Sequence, residues 1–262
     1  MAKQRILLTG ATSGLGAGAA LGLARKHHVT VGGETWQQVT AFRERADEAG
    51  ANLEVIKLDL LNEVDLQHAA ELEVDTLVLN AAVQEDGSIV DVPMDLVRRA
   101  FEINVFAHLD LARRIVPQLM KRRRGRIVWT SSQAGLYAPP FLGAYAATKH
   151  AIEAIASVMR AELHRSGISV ATINPGFYRT GFNETGAESY GQWSGQQDVL
   201  VPMPPAQPFL AIQHDPQPMI DAMIEAIPDR HSRYRTMLPE DAVVETKLAQ
   251  ELAWTNRSDG IP

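Results

Sequence analysis

The chain alternates short apolar runs with longer helical stretches, and that alternation narrows its possible folds more than any other feature. Arg5–Thr9, Val29–Gly32, Leu53–Leu58, Thr76–Asn80, Arg126–Ser131 and Ile168–Asn174 have the length and composition of strands. Gly14–Lys26, Trp36–Ala49, Asp65–Leu72, Asp95–Arg122 and Ala144–Arg165 have those of helices. Strands separated by helices connect through right-handed crossovers, which lay the strands parallel. The runs Ile6-Leu7-Leu8 and Leu77-Val78-Leu79 are apolar without alternation, as strands covered on both faces require. The fold class expected is α/β, a doubly wound parallel β-sheet flanked by helices on both faces.

A chain of 262 residues, 45% of them hydrophobic, suits one such domain spanning 1–262. The alternation stops after Asn174. From Phe177 to Asp215 the chain is rich in Gly, Pro, Gln and aromatic residues and poor in charge. A long segment of this kind in a compact domain is expected to be a loop, acting as a substrate lid over about 177–215. A helix near Pro218–Ala226, a strand near Arg233–Leu238 and a last helix near Asp241–Trp254 follow.

Composition removes several classes of function. There is no cysteine, which excludes disulfides, thiolate catalysis and Cys-ligated zinc. The eight histidines have no metal-ligand spacing, so no metal is expected. A net charge of -6 argues against nucleic acid as a partner. Lys121-Arg122-Arg123-Arg124 is basic, but it falls at a helix C-terminus, where cations complement the dipole. Ile6 to Ala24 is uncharged and long enough for a membrane span. Five glycines lower its hydropathy, and it reads better as strand, turn and helix. A cytoplasmic protein with no membrane partner is expected.

Two constellations carry chemistry. The first strand runs into Thr9-Gly10-Ala11-Thr12-Ser13-Gly14-Leu15-Gly16. Glycines at such a junction let the backbone turn tightly and approach a pyrophosphate, and the next helix offers free N–H groups. Tight packing alone would also account for them. The second constellation is Ser132, Tyr145 and Lys149. Tyr145 and Lys149 lie four apart and share a helical face, and Ser132 follows a strand, where open α/β sheets bind ligands. A phenol can protonate the alkoxide left by hydride transfer to a ketone if its pKa, normally about 10, is lowered by a neighbouring ammonium. A serine hydroxyl can hold the substrate oxygen. No Gly-x-Ser-x-Gly surrounds Ser132, which disfavours an α/β-hydrolase.

In order and spacing these motifs resemble the classical short-chain dehydrogenase/reductase family from Arg5 to Thr180. The resemblance rests on the Gly-x-x-x-Gly-x-Gly turn, on Ser132 placed thirteen residues before Tyr145-x-x-x-Lys149, and on Asn174-Pro175-Gly176 followed by Thr180. It implies a Rossmann-type sheet and hydride exchange between a nicotinamide cofactor and a carbonyl or secondary alcohol. By resemblance, Ser132 polarises the oxygen, Tyr145 exchanges the proton, and Lys149 lowers the Tyr pKa and binds ribose. Asn104 would be a fourth catalytic residue supporting a water relay, although its residue type also suits a kink in a helix. The implied cofactor contacts are Gly10, Thr12, Ser13, Gly14, Leu15 and Gly16, then Asp59 and Leu60 at the adenine. Asn80 and Ala81 follow, and Pro175, Gly176, Phe177 and Thr180 lie near the nicotinamide. Asp59 is equally readable as a cap at a strand end. Ala82 stands where the family has glycine, which puts a methyl near the cofactor.

Glu34, at the end of the second strand, selects the cofactor in this reading. A carboxylate accepts hydrogen bonds from ribose hydroxyls and repels a 2′-phosphate, so NAD is expected ahead of NADP. A solvent-facing Glu34, or a cation such as Arg5 or Lys3 offsetting it, would weaken that preference. The expected substrate is a small ketone or alcohol, apolar to match the uncharged loop. A homodimer or homotetramer built on Asp95–Arg122 and Ala144–Arg165 is expected. The other class of function open to such a chain is a nucleotide-binding regulator or scaffold without turnover.

Overall fold

The structure, a computed structural model, describes residues 3–258. Seven strands form one parallel sheet in the order β3-β2-β1-β4-β5-β6-β7. They are β1 Arg5–Thr9, β2 His28–Gly33, β3 Glu54–Lys57, β4 Thr76–Leu79, β5 Gly125–Thr130, β6 Ile168–Pro175 and β7 Arg235–Leu238. Between them run α1 Gly14–Leu23, α2 Trp36–Glu48, α3 Glu63–Glu71, α4 Met94–Phe101, α5 His108–Arg122 and α6 Gly143–Leu163. α7 Phe182–Ser194, α8 Gln207–Leu210 and α9 Gln217–Ala226 lie between β6 and β7, and α10 Glu240–Leu252 follows β7.

The two faces of the sheet explain why its strands are apolar throughout. Successive side chains point to opposite faces. Ile6, Leu8, Val78 and Val128 enter one core layer with Ala20 of α1, Phe42 of α2 and Met223 of α9. Leu7, Leu77, Ile127 and Trp129 enter the other layer with Leu66 of α3, Ile115 of α5 and Ile152 of α6. Each fully buried aliphatic side chain of this kind contributes roughly 1.5–3 kcal/mol of transfer free energy. The chain reverses direction across the sheet between β1 and β4, and in such sheets the crevice at the strands' C-terminal ends takes the ligand.

Two expectations need correction. The helix expected over Asp95–Arg122 is three pieces: α4, a π-helical segment Glu102–Ala107, and α5. Asn104 lies in that segment, where its side chain bonds to β4's following loop and to α6 instead of facing solvent. The segment expected as a loop over 177–215 contains α7 and α8. The Ile6–Ala24 stretch divides into β1, a turn and α1, and among the described residues no helix is long and apolar enough to cross a membrane.

Candidate active site

A cleft of about 1230 Å³ opens along the C-terminal edge of the sheet. Its floor and one wall come from the β1–α1 turn, with Gly10, Thr12, Ser13, Gly14, Leu15 and Gly16. Glu34 stands after β2, Asp59 and Leu60 after β3, Asn80 and Ala81 after β4. Ser132, Tyr145 and Lys149 form the middle, and Pro175, Gly176, Phe177 and Thr180 the facing edge. Asn104 is the one anticipated residue that lies behind the wall, fully buried.

The glycine turn has a steric cause. Gly10 has φ +58, and a Cβ there would sit 2.5 Å from the Ala81 Cα. A Cβ at Gly16 would lie 2.6 Å from the Asn80 amide nitrogen. That nitrogen donates to the carbonyls of Thr9 and Gly10, both at 3.2 Å, and so ties the turn to β4. α1 begins without a side-chain cap and without an acid in its first turn. By contrast, Thr35 and Asn62 cap α2 and α3. The first N–H groups of α1 are therefore left for an anion, which fits the pyrophosphate of a dinucleotide. Ala82 does not have positive φ, so the alanine causes no backbone strain there.

Tyr145 and Lys149 project from the first turns of α6, both buried. Burial raises the Tyr145 pKa, and a hydrogen bond with Ser132 acts against that rise. Burial pushes the Lys149 ammonium down to about 7, while the charge of Glu153 acts to raise it. Lys149 Nζ donates to the Thr130 carbonyl at 2.9 Å and lies 5.4 Å from the centre of the Tyr145 ring. Ser132 Oγ accepts the Ala134 N–H at 3.1 Å, which fixes its rotamer and leaves its proton free to be donated. The Phe182 ring packs on Tyr145, with the ring centres 5.8 Å apart.

Asn104 braces this group from behind. Its Oδ1 accepts from Val83 N at 2.8 Å, and its Nδ2 donates to the Val83 carbonyl and to Thr148 Oγ1. Its main-chain carbonyl faces His108 Nδ1 at 3.1 Å. The tautomer of His108 follows from its surroundings. Thr9 Oγ1 accepts the N–H groups of Asn80 and Ala81, so its own proton goes to His108 Nε2 at 3.1 Å. Nδ1 then carries the imidazole proton and donates to Asn104. Burial holds His108 near pKa 4, and therefore neutral. Sequence reasoning missed His108, since a single histidine in a helix carries no signal of its own.

The far end of the cleft is divided. Leu96, Leu142, Phe182 and Trp193 are on its walls, as are Gln84, Glu85, Glu188 and Gln192. Glu85 is buried, accepts from the Ser189 hydroxyl and has Arg99 3.8 Å away. Burial raises the neighbouring Asp86 to about 6.

The family model described as short chain dehydrogenase matches residues 4–190. The chain is 32% identical over 197 residues to the uncharacterized oxidoreductase YusZ of Bacillus subtilis (strain 168), covering 72% of this chain and 70% of that protein. Its fold is similar to that of a short chain dehydrogenase/reductase from Burkholderia phymatum in complex with NAD, with a TM-score of 0.83 at 21% identity over 100% of this chain and 98% of that one. It is also similar to a short-chain dehydrogenase from Sphingobium yanoikuyae in complex with NADPH, with a TM-score of 0.72 at 24% identity over 99% and 98%.

Proposed function

Because the chain belongs to the short-chain dehydrogenase family, we propose that it is a nicotinamide-dependent oxidoreductase interconverting a carbonyl and a secondary alcohol, with Tyr145 as its acid/base. The observation that carries this reading is the meeting of Ser132, Tyr145 and Lys149 in one cleft with the uncapped start of α1. When bound, the cofactor supplies or takes up the hydride. The N–H groups of α1 hold its pyrophosphate, Asp59 and Leu60 its adenine, and Pro175 to Thr180 its nicotinamide end.

The protein's part is proton control. Ser132 orients the substrate oxygen, and Tyr145 gives or takes its proton. Lowering a phenol from about 10 to 7 takes about 4 kcal/mol, and the burial of Tyr145 adds to that. When charged, Lys149 Nζ places an ammonium 5.4 Å from the centre of the Tyr145 ring. The hydrogen bond with Ser132 acts to lower the Tyr145 pKa, and positive charge on Lys149 acts in the same direction. Asn104, held by His108, keeps the wall behind them in register.

The substrate reading combines both walls of the far end. A neutral ketone or alcohol with an apolar body suits Leu96, Leu142 and Trp193, whereas Glu85 and Glu188 disfavour an anionic group. The proposed assembly is a homodimer or homotetramer through the pieces of Asp95–Arg122 and through α6, which leave Phe106, Met120 and Val158 exposed on this chain.

NADH consumption with a panel of ketones tests the reading, using Tyr145→Phe as the control. Turnover is expected to fall by roughly 10²–10⁴, with the NADH dissociation constant nearly unchanged because the ring remains. Activity of the variant within tenfold of the parent would remove Tyr145 from the role. NADH binding by the parent chain with no turnover on any ketone would favour the regulator instead.

A further inference from the structure

Behind Ser132, Tyr145 and Lys149 lies a buried polar cluster that no step above uses. Glu153 sits one helical turn beyond Lys149 on α6, with only 11% of its side chain exposed. Its Oε1 accepts from Asn174 Nδ2 at 2.6 Å, and its Oε2 accepts from Arg235 of β7 at 2.6 Å. The same Asn174 nitrogen donates to the Ser132 carbonyl at 3.0 Å. Both neighbours of that amide are acceptors, so its NH2 end must face them. Asn174 Oδ1 is correspondingly buried without a hydrogen-bond partner. The cluster thus joins β7, β6, α6 and the turn that carries Ser132.

We propose that Glu153 is a positioning residue of this site: clamped by Arg235, its carboxylate fixes, through Asn174, the turn that presents Ser132, and sets a negative charge one helical turn from Lys149. The need for it follows from burial. Among the described residues Lys149 has one hydrogen-bond acceptor, the Thr130 carbonyl, and that dipole carries no net charge. The other titratable groups around it do not replace Glu153. Tyr145 is a neutral phenol until it reacts, and His108 on α5 is neutral. Asp86 acts on Tyr145 from the loop after β4. On the far side, Arg235 and Tyr234 face Glu153, and Arg160 stacks on Tyr234 at 4.9 Å. Glu153 is the anion whose charge supports Lys149.

The kinetic arm of the test rests on the hydride-transfer reading, but the titration arm does not. Lys149 is followed by NMR in the full chain labelled with 13C-lysine, with Lys149→Met identifying its signal. In Glu153→Gln its titration midpoint is expected to fall by at least one pH unit. In Arg235→Met, which removes a cation and leaves the carboxylate, the midpoint is expected to rise. A role confined to packing would move both variants the same way or neither, and either result overturns the proposal. Glu153→Asp serves where the Gln variant fails to fold, and is expected to keep the midpoint within half a unit of the parent. A larger fall in that variant counts against the clamp geometry. With substrate, Glu153→Gln is expected to lower kcat at least tenfold while the cofactor KM changes less than threefold. Opposite midpoint shifts without any turnover in the parent would uphold Glu153 and defeat the oxidoreductase reading alone.

Discussion

Glu34 shows how much one side chain can decide. It is exposed at the open end of the cleft, while its N–H is held by Gln38 Oε1 at 2.8 Å, so the backbone is fixed and the carboxylate is free to face a ribose. Arg5 cannot offset that charge, since it is engaged by Asp75 and Glu73 on another edge of the sheet. Two unit charges 4 Å apart interact by about 4 kcal/mol at an effective dielectric of ~20, less with solvent exposure. The parent is therefore expected to favour NADH over NADPH in kcat/KM, and Glu34→Arg to move the ratio towards NADPH by at least tenfold. A parent preferring NADPH tenfold at fixed ionic strength would defeat this assignment. Ser132, Tyr145 and Lys149 were legible in the sequence because their spacing puts them on one helix and one strand end. Glu153 and His108 were not, because their roles depend on Arg235, Asn174 and Thr9, which are distant along the chain.

At the scale of elements, the sheet was legible and the helices of the segment expected as a lid were not. Strand runs feeding two core layers leave an unmistakable apolar record, whereas α7 carries Gly, Ser, Gln and Asn that suit a loop as well as a helix. Tertiary packing holds it. Trp193 donates Nε1–H to the Asp86 carbonyl at 3.2 Å and meets Tyr190 edge-on at 5.2 Å. It packs with Val92 and Ala144 beneath. The π-helical segment was equally hidden, since its apolar residues continue the periodicity of α4 and α5. Trp193→Ala removes a side chain whose loss from a packed core costs about 3–5 kcal/mol. It is expected to raise amide exchange across Phe182–Ser194 and the substrate KM, with the NADH dissociation constant unchanged. Unaltered exchange there would mean that other contacts hold α7.

For the whole molecule, the proposed homo-oligomer is a mass prediction. Sedimentation equilibrium at micromolar concentration is expected to return at least twice 28.7 kDa, and Phe106→Glu to shift it towards one copy. A monomeric parent would contradict the pairing. The sheet order also bears on synthesis. Strands β1 to β6 and the whole of α6 precede α7, α8, α9 and β7 in the chain, so Ser132, Tyr145 and Lys149 all leave the ribosome before the strand that carries Arg235. Arg235 lies 82 residues beyond Glu153, a delay of roughly 4–16 s at about 5–20 residues per second. During that interval a nascent chain owns its reactive side chains but not the ion pair that clamps Glu153, and so the last strand made completes the clamp behind chemistry written much earlier.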